Sequence, residues 1–169
     1  RCKDRGRIMK QSVLKASGLL IYVVLAAAVI LLPGSAFAVD VRLTDDAYTS
    51  SGAPAANLGT RPSLVVQGST ARAYLKFDLS PLPASMSGND VGKATLRLWV
   101  STVKGAGSFD VYRVAGSWTE KTITHAAAPV LGSAEVVGVP LTSANVFTFV
   151  TIDLTLLVRD WLNGTLVNG

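Results

Sequence analysis

Residues Ala71–Leu79, ARAYLKFDL, alternate apolar and polar side chains with period two. Ala71, Ala73, Leu75, Phe77 and Leu79 fall on one side, and Arg72, Tyr74, Lys76 and Asp78 on the other. Successive side chains on opposite faces define a β-strand, and one apolar face makes it a half-buried strand. Lys93–Ser101, KATLRLWVS, repeats the pattern: Ala94, Leu96, Leu98 and Val100 are apolar against Lys93, Thr95, Arg97, Trp99 and Ser101. The two stretches read as neighbours. Strands with one apolar face each need a second layer over them, so the chain is expected to be an all-β, antiparallel sandwich. The same alternation sets Tyr74 and Trp99 on the polar face, among Arg72, Lys76 and Arg97.

Further strands are expected at Val39–Leu43, Ser63–Gln67, Ser108–Val114 (a hairpin with Lys93–Ser101), within Lys121–Pro129, at Ala134–Val139 and at Val146–Asp153. Thr44–Thr60, TDDAYTSSGAPAANLGT, is dense in turn formers and reads as a long loop. Ser80–Asp90 has two prolines and ends the pairing of the central strand. The period then changes. Leu154, Leu157, Val158 and Trp161 stand at i, i+3, i+4 and i+7, which predicts one short amphipathic helix over Asp153–Leu162. Asp153 is placed as its N-cap and Gly164 just beyond its end. Asn163-Gly164-Thr165 fits a glycosylation sequon but reads as a turn. The chain stops directly after this helix, so a final strand or hairpin is expected beyond Gly169.

Residues 1–38 carry a different signature. A basic stretch runs to Lys15, the apolar run Leu19–Leu32 follows, Pro33-Gly34 breaks it, and Ala36-Phe37-Ala38 meets the small-x-small cleavage rule. This predicts a secretory signal peptide cut after Ala38, with Met9 the natural start. A retained membrane anchor is the alternative, but the apolar run is short for a full span. Of the 16 Lys/Arg and 11 Asp/Glu in the chain, residues 1–38 hold six and one, which leaves ten of each in 39–169. The formal charge of +5 therefore belongs to the leader. A neutral mature domain lacks the basic surface that nucleic acid requires. Cys2, the sole cysteine, also lies in the leader, so no disulfide staples residues 39–169, and stability must come from a packed core.

Several segments in order resemble one family. Asp45-Asp46-Ala47-Tyr48, Asn57-Leu58-Gly59 and Ser63-Leu64-Val65-Val66 resemble the opening of the DNRLRE domain. That domain is also called the carbohydrate-binding module family 96 domain and is related to the disaggregatase-related repeat. Ala73–Ser80 with Leu82-Pro83 is similar to its central signature, and Ala94–Val100 to the next strand. Val111–Val114, Ser117–Glu120 and Thr122–Thr124 follow in the family's order. Asp153-Leu154-Thr155, Val158, Trp161 and Gly164 resemble its closing helix. His125 stands where members often carry an aromatic residue, and the family's last strands are absent after Asn168-Gly169. The resemblance implies a jelly-roll-like sandwich that binds polysaccharide or serves as a repeat in large surface proteins.

Sugar binding needs an aromatic platform for C–H faces and polar groups for hydroxyls. Tyr74 and Trp99 with Arg72, Lys76 and Arg97 form the expected platform, and the cations suit an acidic polysaccharide such as a uronate polymer. The competing readings are that both aromatics cover a sheet edge or lie under a loop, or that sugar binds on the loops at the end of the sandwich. Jelly-roll modules often hold structural calcium near a carbonyl-rich loop, which makes Asp46 with Asp45 the candidate ligand pair; turn-forming aspartates are the alternative. His125, the only histidine, reads as a surface or plug residue. Trp118 and Trp161 read as core. No carboxylate pair is singled out for glycoside cleavage, and no nucleophile elbow is present. The expected function is non-catalytic binding of polysaccharide by a secreted or cell-surface module, free to target a linked enzyme. A structural or adhesive surface module without a sugar site is the alternative.

Overall fold

The computed structural model describes residues 38–166. The expected leader up to residue 37, with Cys2 and Met9, and the terminal Val167–Gly169 lie outside the described residues. Among those described, the chain forms β1 (Arg42–Ser50), β2 (Ala71–Asp78), β3 (Thr95–Val100), β4 (Gly107–Val114), β5 (Leu131–Leu141), β6 (Thr148–Asp153) and one α-helix, α1 (Thr155–Leu162). Among the described residues, no helix is long and apolar enough to cross a membrane.

The strands pair as three antiparallel ribbons, β1–β2, β3–β6 and β4–β5. The all-β expectation holds, and so does the closing helix. The partners differ from those expected. β2 pairs with β1 and not with β3, while β3 pairs with β6 and not with β4. β1 continues through Asp45-Asp46 to Ser50, ground expected to be loop, after a bulge at Thr44. The polar composition of that stretch is used by the Glu120 turn, whose N–H donates to Asp45 Oδ1, while Lys76 stands opposite Asp45 and Arg72 opposite Thr49 on the partner strand. Ser63–Gln67 forms no strand beyond a single bridge from Gln67 to Ala71, and Lys121–Pro129 is turn and coil.

Two buried clusters hold the ribbons together. Leu96, Leu98, Val150 and Ile152 from β3–β6 meet Phe109, Val111, Val136 and Val139 from β4–β5, with Leu157 and Trp161 of α1 over them. This cluster is the core of a sandwich. The second cluster is Ala47, Tyr74, Trp118 and Ile123, flanked by Val114, Ala128 and Leu131. Here the segment 115–128 lies over the β1–β2 ribbon on the side that carries Arg72, Tyr74 and Lys76. The side read as apolar, with Ala73 and Leu75, faces a cavity of about 650 Å³ that Leu96, Leu98 and Phe109 also line.

Backbone carbonyls and short polar side chains tie that segment down. Asn57 Nδ2 donates to Glu120 O at 2.7 Å and to Ile123 O at 2.8 Å. Asp45 Oδ1 accepts the Glu120 N–H at 3.0 Å, and the Asp46 N–H donates to Glu120 Oε2 at 3.4 Å. Gly59 lies so close that an added Cβ would collide with the Glu120 carbonyl. The Asn57-Leu58-Gly59 motif is thus a clamp on the Glu120 turn.

α1 is set by its two ends. Asp153 Oδ1 accepts the Thr155 N–H at 2.9 Å and its hydroxyl at 2.6 Å. These bonds occupy the N-terminal role expected of Asp153, although the N-cap position itself falls on Leu154. At the other end, the Thr165 N–H reaches Asp160 O and the Gly164 N–H reaches Trp161 O, with Gly164 at φ +69. That is a Schellman stop, which needs the left-handed conformation glycine adopts freely. Arg159 donates twice to Val91 O, at 2.9 and 2.7 Å, and Asn163 Oδ1 accepts the Gly88 N–H at 2.8 Å. The helix is thereby pinned to the turn before β3.

Two outcomes follow from these anchors. Gly59→Ala forces the Glu120 turn off its clamp and is expected to cost about 1–3 kcal/mol, the range for inserting atoms into packed space. Gly92→Ala, with nothing within 4 Å of the new Cβ, is expected to stay within about 0.5 kcal/mol of wild type; urea denaturation compares them. The second concerns acid. The hydroxyl and N–H of Thr155 hold the Asp153 carboxyl below its ordinary value, with smaller help from Lys93 and Arg159. A lowered folded-state value stabilises the fold above the unfolded pKa, about 3.9, and this contribution is lost as pH falls through the lower folded value. Asp153→Ala should therefore melt below wild type at neutral pH, and the gap between the two should narrow as pH falls below the unfolded-state value.

Candidate functional site

The in-register pairing of β3 with β6 decides which side chains face outward. Leu96 opposite Ile152 and Leu98 opposite Val150 point into the core, so Thr95, Arg97 and Trp99 share the outer face with Asp153, Thr151 and Phe149. Trp99 stands directly opposite Phe149. Their rings meet edge to face, 5.0 Å between centroids at 66°, and the Arg97 guanidinium sits 4.4 Å from the Phe149 ring centre. An edge-to-face pair adds about 0.5–1.5 kcal/mol beyond area burial, and an exposed cation–π contact about 0.5–1 kcal/mol. Even so, Trp99 keeps 55% of its surface exposed and Phe149 51%. The contacts orient the rings without covering them. Thr95 and Thr151 put hydroxyls on the same exposed face.

The five side chains expected to form one platform divide between two ribbons. Arg97 and Trp99 lie together on β3, while Arg72, Tyr74 and Lys76 lie on β2 under or beside the 115–128 segment. The placement of Tyr74 on an outer polar face needs correction. Tyr74 is 2% exposed and packs edge-on against Trp118, 5.7 Å between centroids at 60°. The cause is the 115–128 cover, which turns the polar-looking side of β2 into core. Lys76 reaches across to Trp118 O at 3.4 Å, and Arg72 stays exposed.

Asp45 and Asp46 sit on β1 and are engaged with the Glu120 turn as described above. Among the described residues, no group of three or more His, Cys, Asp or Glu is arranged to hold a metal ion. Calcium takes about six to eight oxygens, and the Asp45 carboxylate already accepts a backbone N–H. His125 is half-buried, with Nδ1 enclosed and lacking a hydrogen-bond partner, the setting of a plug. Trp118 is core, and Trp161 packs over the β3–β6 cluster.

Sequence reasoning missed Phe149. In Thr148–Asp153, TFVTID, Val150 and Ile152 mark the inner side and leave Phe149 outside with Thr151 and Asp153. The signal is weak because Phe is apolar and reads inward when considered alone. Its meeting with Trp99 depends on a pairing between segments fifty residues apart, which alternation does not specify.

Because the rings of Trp99 and Phe149 are presented and those of Tyr74 and Trp118 are enclosed, their mutants should behave differently. Tyr74→Ala is expected to cost about 3–5 kcal/mol, the range for truncating a buried aromatic. Tyr74→Phe should be at least as stable as wild type, since the buried Tyr74 hydroxyl has no hydrogen-bond partner. Trp99→Ala should cost clearly less than Tyr74→Ala, because Trp99 is already 55% exposed and loses a smaller buried area together with a ring contact worth about 0.5–1.5 kcal/mol. Thermal melts of the three variants read the contrast directly.

The family model described as carbohydrate-binding module family 96 matches residues 38–167. No match is found among the curated proteins.

Proposed function

The chain belongs to carbohydrate-binding module family 96, whose general role is carbohydrate binding, and from that premise we propose that it holds a polysaccharide on the outer face of β3–β6. The observation that carries this reading is the exposed Trp99–Phe149 pair with Arg97 stacked upon it. The apolar C–H face of a pyranose packs on an aromatic ring and leaves its hydroxyls to polar neighbours. Thr95 and Thr151 supply such neighbours. Arg97 adds a planar cationic fork, whose geometry matches a carboxylate, so an acidic polymer of the uronate class is favoured over a neutral one.

The reading is of a non-catalytic module. Cleaving a glycosidic bond takes two carboxyl groups flanking one site. On this face Asp153 is engaged twice by Thr155, and away from it Asp78, Asp90 and Asp110 accept hydrogen bonds from Ser80, Ser87 and Gly138. With the leader expected at 1–38, the module works outside the cell, alone or joined to an enzyme that it targets to the polymer. The ribbon β4–β5 nests between paired β3 and β6 in chain order, which supports a jelly-roll-like sandwich, in which hairpins fold within longer pairings.

Affinity electrophoresis of the purified chain in gels containing polygalacturonate or a neutral β-glucan tests this. Retardation is expected in the uronate gel. Trp99→Ala should weaken it about tenfold, the equivalent of one lost stacking contact of about 1.5 kcal/mol. Arg97→Gln should erase the preference for the charged polymer. Chelator should leave retardation unchanged, as the Asp45–Asp46 placement suggests. Undiminished retention in Trp99→Ala would remove the face from consideration. A folded chain that no polymer retards would favour a structural surface module.

A further inference from the structure

One exposed aromatic near this face occupies a backbone position ordinarily left to glycine. Phe147 has φ +59 and is the one non-glycine residue with positive φ among those described. Bulky side chains rarely enter the left-handed region, because Cβ crowds the following carbonyl. The Phe147 N–H donates to Val100 O at 2.8 Å, while Val100 is paired with Thr148. Phe147 and Thr148 thus both oppose Val100. This is the two-against-one arrangement of a bulge whose left-handed residue is ordinarily glycine. The residue that occupies the position is a phenylalanine, 71% exposed. Its ring belongs to neither buried cluster, so packing does not offset the strain. Strained backbone that packing leaves unexplained clusters at ligand contacts, and bulges re-aim side chains there.

Its location adds the second half of the argument. Phe147 is two residues before Phe149, at the end of the β3–β6 ribbon where Trp99 and Val100 finish β3. Three large exposed aromatic side chains, Trp99, Phe147 and Phe149, therefore gather at one end of one ribbon. Phe147 and Phe149 are two residues apart, so their Cα atoms lie no more than about 7 Å from each other, close enough for one oligosaccharide to touch both rings. We infer that Phe147 is a second stacking subsite, so that the face reads a run of consecutive sugar units in a linear polysaccharide and not a single terminal sugar. The inference rests on the proposed use of Trp99 and Phe149, and it specifies the length and linearity of what they bind.

Titration calorimetry of the chain with galacturonic acid oligomers of increasing length, and with cello-oligosaccharides as the neutral series, provides the test. Wild type is expected to gain at least tenfold in affinity between the single sugar and the longer oligomers. Phe147→Gly and Phe147→Ala should lose that gain while keeping the affinity for the shortest ligand. Phe147→Gly should melt no lower than wild type, because glycine relieves the left-handed strain, which separates lost binding from lost folding. Length dependence that survives in both Phe147 variants, with all binding abolished by Trp99→Ala, would overturn this inference and leave the Trp99 face standing. Trp99→Ala without effect, or wild type binding neither series, would overturn both. A Phe147→Gly melting point well below wild type would assign the residue a packing role and also overturn it.

Discussion

The pairing of β3 with β6 is the constraint on which the described structure depends most. It joins segments about fifty residues apart in an unbroken register from Thr95–Asp153 to Val100–Thr148. Period-two geometry does the rest. Once Leu96, Leu98, Val150 and Ile152 are buried against β4–β5 and α1, the alternate residues have no choice but to face outward. The exposed aromatic face follows directly from the burial of the opposite face. Shifting the register by one residue would exchange the two sets and destroy core and platform together.

The β1–β2 ribbon obeys a different rule. Its pairing is broken once, by the bulge at Thr44, and a loop covers it on one side while a cavity lies on the other. The cover stays in place through directed polar contacts: Asn57 bridging two carbonyls, Asp45 capping the Glu120 N–H, and Gly59 admitting the Glu120 carbonyl. Tyr74 and Trp118 fill the space beneath. A motif dense in Asp, Asn and Gly, which suggests metal or ligand, is here employed in holding a loop on a sheet.

The same economy runs through the carboxylates. Asp78, Asp90 and Asp153 each accept hydrogen bonds from a serine or threonine two or three residues away in the chain, which holds each carboxyl below its usual range. These groups shape turns and the start of a helix. The contrast with Trp99, Phe149 and Phe147 is instructive, since those side chains are left uncovered at a cost in apolar exposure. In a domain of otherwise ordinary packing, exposed aromatics with an arginine among them are the features that the fold itself does not require.

The sequence by itself determined the local elements whose periodicity is unambiguous: the strands at Ala71–Asp78 and Thr95–Val100, the later strand ending at Asp153, the helix through Trp161 and its stop at Gly164. Local backbone preferences and side-chain alternation suffice for these. Trp99 and Arg97 were legible as outward because Leu96 and Leu98 identify the inner face without ambiguity. Only the tertiary structure decided which strands pair, because antiparallel pairing between distant segments depends on the whole set of competing partners. It also decided that Tyr74 is core. Alternation reports which side of a strand is more polar, but it does not report whether another segment will cover that side. Phe149 and Phe147 gained their meaning only from the register that brought them to Trp99, for a single aromatic in a strand is equally consistent with a core and with a binding surface until its neighbours across the sheet are known.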